Sequence, residues 1–429
     1  MIRQLLILGL IACFLTGCTV APNNSNTPRS SSAPSPNAAP SAAPSRETSA
    51  QVVTLPLLDA LLTDEKFVAE LRSTLKLSDE QIESLKRASN SEIARLREIN
   101  AEESEGNATD ARTRATEELN RLLGDEKARE LVSLASDYWS KGDPSEATGS
   151  TDLEMLKGPN AVPTDTRVVV NIPAFRMDLF QDGSLIKSYQ IGIGYPEFPL
   201  PQGLRKAQTV IFNPTWTPPD SPWVASIKNV TPGETVPAGD KSNPLGPIKI
   251  PIGLPSLIHG GKAPAKIGKF ASHGCVGLTN AQVKDFAILL SRASDTDLTE
   301  QKIASYLQER DRTQTVKLTE MVPVELRYET IVLEDGKLHI YRDVYAQNTN
   351  TEENLRTVLE ANGARLEDLS DQQRAEIMTA LKDAKKETVI DLGALAQKGY
   401  PAPVNLDNGS GKKPSTDKPD RTKKKKSSS

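Results

Sequence analysis

The chain has 429 residues, with 52 Lys and Arg against 56 Asp and Glu, a formal net charge of -4 that argues against a nucleic-acid-binding protein as a whole. That length holds two or three domains, yet 30 prolines and long Ser/Ala/Pro and Lys/Ser runs exclude a chain that is core throughout. With 3 cysteines and 3 histidines, thiol or imidazole chemistry has few places to sit.

Residues 1–18 read as an export signal: Arg3 as a short basic region, an apolar run from Leu5 to Leu15, then Leu15-Thr16-Gly17-Cys18. The run is too short to span a bilayer comfortably. Its end resembles a lipoprotein signal, which implies that Cys18 becomes the acylated first residue of the exported chain and that Cys13 leaves with the signal. The other reading is an ordinary cleaved signal with a chance cysteine. Residues 19–50, dominated by Ser, Pro, Ala, Asn and Thr, are expected to form a disordered tether.

Residues 51–142 turn helical. Ser78-Asp79-Glu80-Gln81 is a capping box, and Ile82, Leu85, Ile93, Leu96 and Ile99 keep one apolar stripe. Leu62-Thr63-Asp64-Glu65, Leu123-Gly124-Asp125-Glu126 and Leu369-Ser370-Asp371-Gln372 are similar helix starts, with acidic residues where the helix dipole favours them. The last of these belongs to a helix pair expected within a C-terminal helical segment at 350–400, followed by a disordered basic tail at 401–429. The helical modules are candidates for docking a protein partner or for serving as spacers.

At Arg167 the period changes to two. Val168, Val170 and Ile172 alternate with their neighbours, Phe180 to Ser184 is a hairpin turn, and Ile186 to Ile193 is a second strand. Residues 195–255 are dense in Pro, Gly and Trp, with strands expected only near Thr209 to Phe212 and Pro247 to Ile250. Such loops on a sheet build substrate grooves, and Trp216 and Trp223 serve as groove walls or as core. From His259 to Asn280 the chain holds His259, His273 and Cys275, its only cysteine beyond position 18. A thiol acts as thiolate and needs a base or a positive environment, and imidazoles stand sixteen and two residues before this one. Gly274 predicts a tight turn that presents the sulfur beside backbone N–H groups. Asn280 then reads as the N-cap of a helix with Val283, Phe286, Ala287 and Leu290 on one face. Val322 to Tyr328, Ile331 to Leu333 and Leu338 to Tyr341 read as a closing hairpin, in which His339 is an ordinary strand residue.

His259-Gly260, the spacer after it, and Ser272-His273-Gly274-Cys275-Val276 resemble the active-site signature of L,D-transpeptidases, the YkuD-type peptidoglycan cross-linking enzymes. Met177-Asp178-Leu179-Phe180 with Asp182-Gly183 resemble that domain's opening hairpin, and Asn213-Pro214-Thr215-Trp216 and Asn243-Pro244-Leu245-Gly246 its two proline-containing turns. One departure bears on substrate anchoring and local rigidity: two residues after the cysteine the family usually has Arg or Asn, and this chain has Gly277. The resemblance implies a mostly β catalytic domain at 165–346, a YkuD-like β-sandwich with short helices, flanked by α-helical modules and disordered ends.

The same resemblance implies Cys275 as nucleophile and His259 as base, with His273 shaping the loop and adding positive potential, although the sequence alone does not separate the two histidines. Ser272, Gly274 and Gly260 complete the loop, and the N–H groups of Gly274 and Cys275 are expected to hold the oxyanion. The implied substrate is a peptidoglycan stem tetrapeptide, attacked at the carbonyl of its third residue with loss of the terminal D-Ala. An amine on a second stem as acceptor gives a cross-link, water gives an L,D-carboxypeptidase, and a lysine of an outer-membrane protein gives a tethered protein. Three rivals remain. His259, His273 and Cys275 as zinc ligands is one, with no Asp or Glu in the stretch to complete the set. A papain-like or NlpC-type peptidase, for which only His339 follows the cysteine, is another; the third is a non-catalytic cell-wall-binding lipoprotein with a degenerate site. No cofactor, metal or nucleic acid is expected. The expected partners are stem peptides and, through lipidated Cys18, a membrane, in the cell envelope facing the periplasm or cell wall.

Overall fold

The computed structural model describes residues 52–99, 106–141, 154–224, 227–253, 256–383, 387–393 and 399–410. The signal, the tether, Cys18 and the lysine run at 423–426 lie outside them. Polar caps start each of the first four helices: Thr54 for α1 (Leu55–Leu62), Asp64 for α2 (Glu65–Ser73), Ser78 for α3 (Asp79–Glu98) and Asn107 for α4 (Ala108–Leu123). In each, a side-chain oxygen accepts one of the first-turn N–H groups that a helix cannot satisfy itself. With α5 (Asp125–Lys141) these helices bury Leu58, Leu61, Phe67, Leu71, Ile82, Leu85, Leu119 and Leu131 together.

The α3 stripe serves two cores. Ile82 and Leu85 face the helices, while Ile93 and Leu96 pack into the core of the sheet domain. Ile99, expected to continue the stripe, is 56% exposed, because it caps the helix with non-helical torsions and leaves the row.

Alternation from Arg167 gives β1 (Arg167–Asn171), β2 (Arg176–Gln181) and β3 (Ser184–Gln190), consecutive antiparallel strands. Asp182 and Gly183 both take positive φ, the two-residue turn whose twist matches a hairpin. Beyond β1 the sheet continues with a long strand from much later in the chain, β10 (Gln314–Arg327), parallel to it. Then come β5 (Gly203–Phe212), β6 (Ile248–Pro251), β7 (Leu257–His259) and β9 (Val276–Gly277), in the order β3-β2-β1-β10-β5-β6-β7-β9. β5 begins at Gly203, well before the expected Thr209, because Arg205 and Ala207 extend the buried face. β4 (Ile193–Gly194) and β8 (Phe270–Ser272) make a short parallel pair. Helix α6 (Asn280–Ala293) seats Val283, Phe286, Ala287 and Leu290 in the core, and α7 (Glu300–Gln308) adds Ile303. Its cap is Thr279, paired reciprocally with Gln282, rather than Asn280.

The expected closing hairpin forms, and the correction is to its place, which is a separate small sheet. β11 (Ile331–Glu334) and β12 (Lys337–Ile340) pair with each other, and β12 pairs on its other side with β13 (Thr388–Asp391) in a sheet separate from the large one. Covered by α8 (Glu352–Ala361) and α9 (Asp371–Lys382), they bury Leu333, Leu338, Leu355, Leu359 and Ile377, so the segment read as helical is a small α+β body. A second correction concerns the tail. Residues 401–410 run along β3, whose Ser188 and Gln190 N–H groups donate to Val404 O and Asp407 O at 2.9 Å each, covering an otherwise open sheet edge.

The helical body docks through polar groups as well as through Ile93 and Leu96. Thr54 Oγ1 donates to Glu197 O at 2.6 Å, the Asn107 N–H to Glu197 Oε1 at 2.9 Å, and Arg97 Nη1 to Pro222 O at 2.6 Å. On α1, burial raises the Asp59 carboxyl to about 6, with the Ser221 hydroxyl pulling it down and the Asp220 charge pushing it further up. Unfolded, that carboxyl titrates near ~3.9, so its contribution to stability is full below that pH and is lost as pH rises through the folded value. Asp59→Asn is therefore expected to raise the unfolding free energy by about 1–3 kcal/mol at pH 7.5 and to change it little at pH 4, measured by chemical denaturation at both.

Candidate active site

Three short strands set the site. In the antiparallel β6–β7 ladder Lys249 pairs with His259, and in the parallel β7–β9 ladder Ile258 pairs with Val276 and His259 with Gly277. Paired residues share a face and faces alternate along a strand, so Lys249, His259 and Gly277 lie on one face. Cys275 stands in the bend directly before β9, and the charges of Lys262 and Lys249 act on both it and His259.

The turn that delivers the sulfur is built from hydroxyls and a glycine. Ser272 Oγ donates to Cys275 O at 2.5 Å and accepts from the Cys275 N–H at 3.1 Å, and Ser256 Oγ donates to Gly274 O at 2.9 Å. Gly274 sits at φ +96, a conformation costly for any residue with a Cβ. The Cys275 N–H is thus engaged by Ser272. The Gly274 N–H, by contrast, makes no such bond among the described residues. Behind the turn stands Trp139 of α5, with ring carbons 3.7 and 3.8 Å from where a Gly274 side chain would begin, and Arg205 bonds the Trp139 carbonyl. Trp139 is 2% exposed, and Trp139→Ala is expected to cost about 3–5 kcal/mol in denaturant unfolding.

The two histidines separate clearly. His273 points into aromatic rings: it stacks on Trp223 at 4.3 Å and 11° and meets Phe198 edge-on at 4.5 Å and Tyr195 at 5.6 Å. It anchors the loop to this floor. His259 is 3% exposed, with Nδ1 2.7 Å from Gly260 O. In the tautomer that bond selects, Nδ1 carries the proton and Nε2 is left unprotonated. Behind it Asn280, not needed as a cap, accepts the Gly261 N–H at 2.7 Å and fixes the loop.

Electrostatics make this a neutral pair. Burial, then the Lys262 charge and more weakly that of Lys249, hold His259 at about 3 against the carbonyls of Gly260 and Leu245. Burial also pushes the Cys275 thiol up, against the Leu257 N–H and the charges of Lys262 and Lys249, which favour thiolate. Imidazole and thiol are therefore both neutral at rest, in place of the ionised sulfur that a low-pKa cysteine would offer. Lys249, Lys262 and Trp139 escaped sequence reasoning as site residues, whereas Trp223 was named there as groove wall or core. Of the first three, only Lys262 carried a signal, its place in the His259 loop. No group of three or more His, Cys, Asp or Glu side chains arranged to hold a metal ion occurs among the described residues. His339 lies in the C-terminal body, 2.8 Å from Glu387.

Residues 165–307 match the family model of the YkuD L,D-transpeptidase catalytic domain. Among solved structures the chain is similar to an Ldtfm–avibactam carbamoyl enzyme at 18% identity, over 38% of this chain and 49% of that one, with a TM-score of 0.24. An L,D-transpeptidase from Mycobacterium smegmatis shares 17% identity over 38% of this chain and 58% of its own, with a TM-score of 0.23. The catalytic domain of the E. faecium L,D-transpeptidase shares 16% over 39% of this chain and all of its own, with a TM-score of 0.25. The chain spans about half the length of the first two structures. No curated protein matches it.

Proposed function

We propose that the chain, whose residues 165–307 carry a YkuD-type L,D-transpeptidase catalytic domain, is a peptidoglycan L,D-transpeptidase working through a thioester on Cys275. His259 Nε2 takes the thiol proton as sulfur attacks the carbonyl of the third residue of a stem tetrapeptide. The C–N bond to the terminal D-Ala then breaks, and the proton on His259 passes to the departing amine. An amine of a second stem attacks the thioester, the S–C bond breaks, and His259 carries the amine's proton back to sulfur. The Gly274 N–H is the backbone donor in this loop for the developing oxyanion.

The observation that supports this reading is the match of residues 165–307, which include His259 and Cys275, to the family model, beside a parallel β7–β9 ladder that ends β7 at His259 and begins β9 directly after Cys275. The site belongs at the cell envelope, with Cys18 as lipid attachment; metabolic labelling with an acyl-chain analogue should be lost in Cys18→Ala. The deciding experiment incubates the protein with purified tetrapeptide muropeptides. A covalent mass increment equal to the donor minus D-Ala, with free D-Ala and a cross-linked product, is the expected result. Tripeptide alone as product makes the enzyme an L,D-carboxypeptidase, and neither adduct nor D-Ala leaves a wall-binding protein with a degenerate site.

A further inference from the structure

We propose that Lys249 and Lys262 form a carboxylate-binding pair beside Cys275, and that they bind the terminal carboxylate of the residue the acyl donor loses. This rests on the transpeptidase reading above and names the feature of the donor that the site selects. Lys249 lies directly across the β6–β7 ladder from His259 and so projects on the catalytic face. Lys262 reaches that face from the other side. Its N–H donates to Leu278 O at 3.0 Å, tying the loop after His259 to the segment after β9. From there its stem crosses Gly277: a Cβ on that glycine would stand 2.8 Å from both Cγ and Cε of Lys262 and 3.2 Å from Cδ. Any side chain at 277 would displace the lysine, so the glycine is the slot through which an ammonium group is brought to the site. Both lysines act electrostatically on the Cys275 sulfur and on the His259 ring.

Neither lysine has a proton-transfer task in the proposed reaction. Two half-buried cations on one face recognise an anion. In a stem tetrapeptide the anion closest to the attacked carbonyl is the terminal carboxylate, about 3.5 Å further along the chain. Bound there, it would also offset the positive charge that opposes protonation of His259.

The test is made on the full chain. Alkylation of Cys275, followed at its own peptide by mass spectrometry, is compared for iodoacetate and neutral iodoacetamide. The wild type is expected to favour the anionic reagent, and Lys249→Met with Lys262→Met to lower the iodoacetate-to-iodoacetamide rate ratio by about tenfold. Lys262→Arg, which keeps the charge, should retain the ratio, and thermal melts identify any variant that fails to fold. With turnover as readout, a tetrapeptide amidated at its C-terminus should show a KM raised about tenfold in the wild type and equal to that of the free acid in the double variant. An unchanged alkylation ratio, or equal use of acid and amide by the wild type, overturns the pair. Absence of D-Ala release from the wild type, with the alkylation ratio still lost in the double variant, would overturn the transpeptidase reading and leave the anion site standing.

Discussion

Cys275→Ala is expected to abolish both the covalent adduct and D-Ala release, and Cys275→Ser to lower turnover by about 10⁴-fold or more, as when a nucleophile is removed from a catalytic unit. The serine variant is the sharper of the two. With its imidazole held at about 3, the site offers a weak base. A base that weak suffices for a thiol, whose thiolate Lys262, Lys249 and the Leu257 N–H stabilise, but is mismatched to an alcohol several orders of magnitude less acidic. Serine preserves volume and the Ser272 bonds to the backbone of residue 275, so a loss of activity at unchanged melting temperature isolates the chemistry of sulfur. Measurable D-Ala release by the alanine variant would remove Cys275 from the mechanism.

Local chemistry was legible in the sequence, and long-range pairing was not. The Ser78 and Ser370 capping boxes and the Asp182-Gly183 turn form where their residues stand, because each is decided within four residues. The parallel partner of β1 arrives from Gln314–Arg327, and no periodicity near residue 167 announces it. The same limit applies to the site. Cys275 and His259 were recognisable as residue types at a spacing, yet only the pairing of β7 with β9 sets the segments that carry them side by side. His273, two residues from the sulfur, was as good a base by proximity; Trp223, fifty residues earlier, is what turns it away. Hydrophobic patterning on α3 could not reveal that Ile93 and Leu96 leave their own bundle for a neighbouring core, nor that Trp139 would stand behind the catalytic turn. Lys249 and Lys262 had no place in the sequence reading of the site; the β6–β7 ladder and the Lys262 stem lying over Gly277 bring them to one face.

His259→Gln is expected to lower kcat/KM by about 10²- to 10⁴-fold, since glutamine keeps a donor for Gly260 O but cannot accept the thiol proton. The pH dependence distinguishes this role from a structural one. Burial and the Lys262 charge depress the folded value to about 3, so the acid limb of wild-type kcat/KM, which reports the free enzyme, should fall near pH 3 rather than near the ordinary ~6.5. Stability carries the same signature. Between those two values the unfolded chain binds the proton and the folded one does not. The contribution of His259 is therefore full above ~6.5 and is lost as pH falls, with a slope approaching 1.36 kcal/mol per pH unit. The glutamine variant lacks this titration, so the stability difference between wild type and variant should shift by about 3 kcal/mol against the wild type from pH 7 to pH 4. An acid limb near 6.5, with parallel stability profiles, would mean a solvated imidazole, and the neutral thiol–imidazole pair would have to be abandoned for an ion pair formed before substrate arrives.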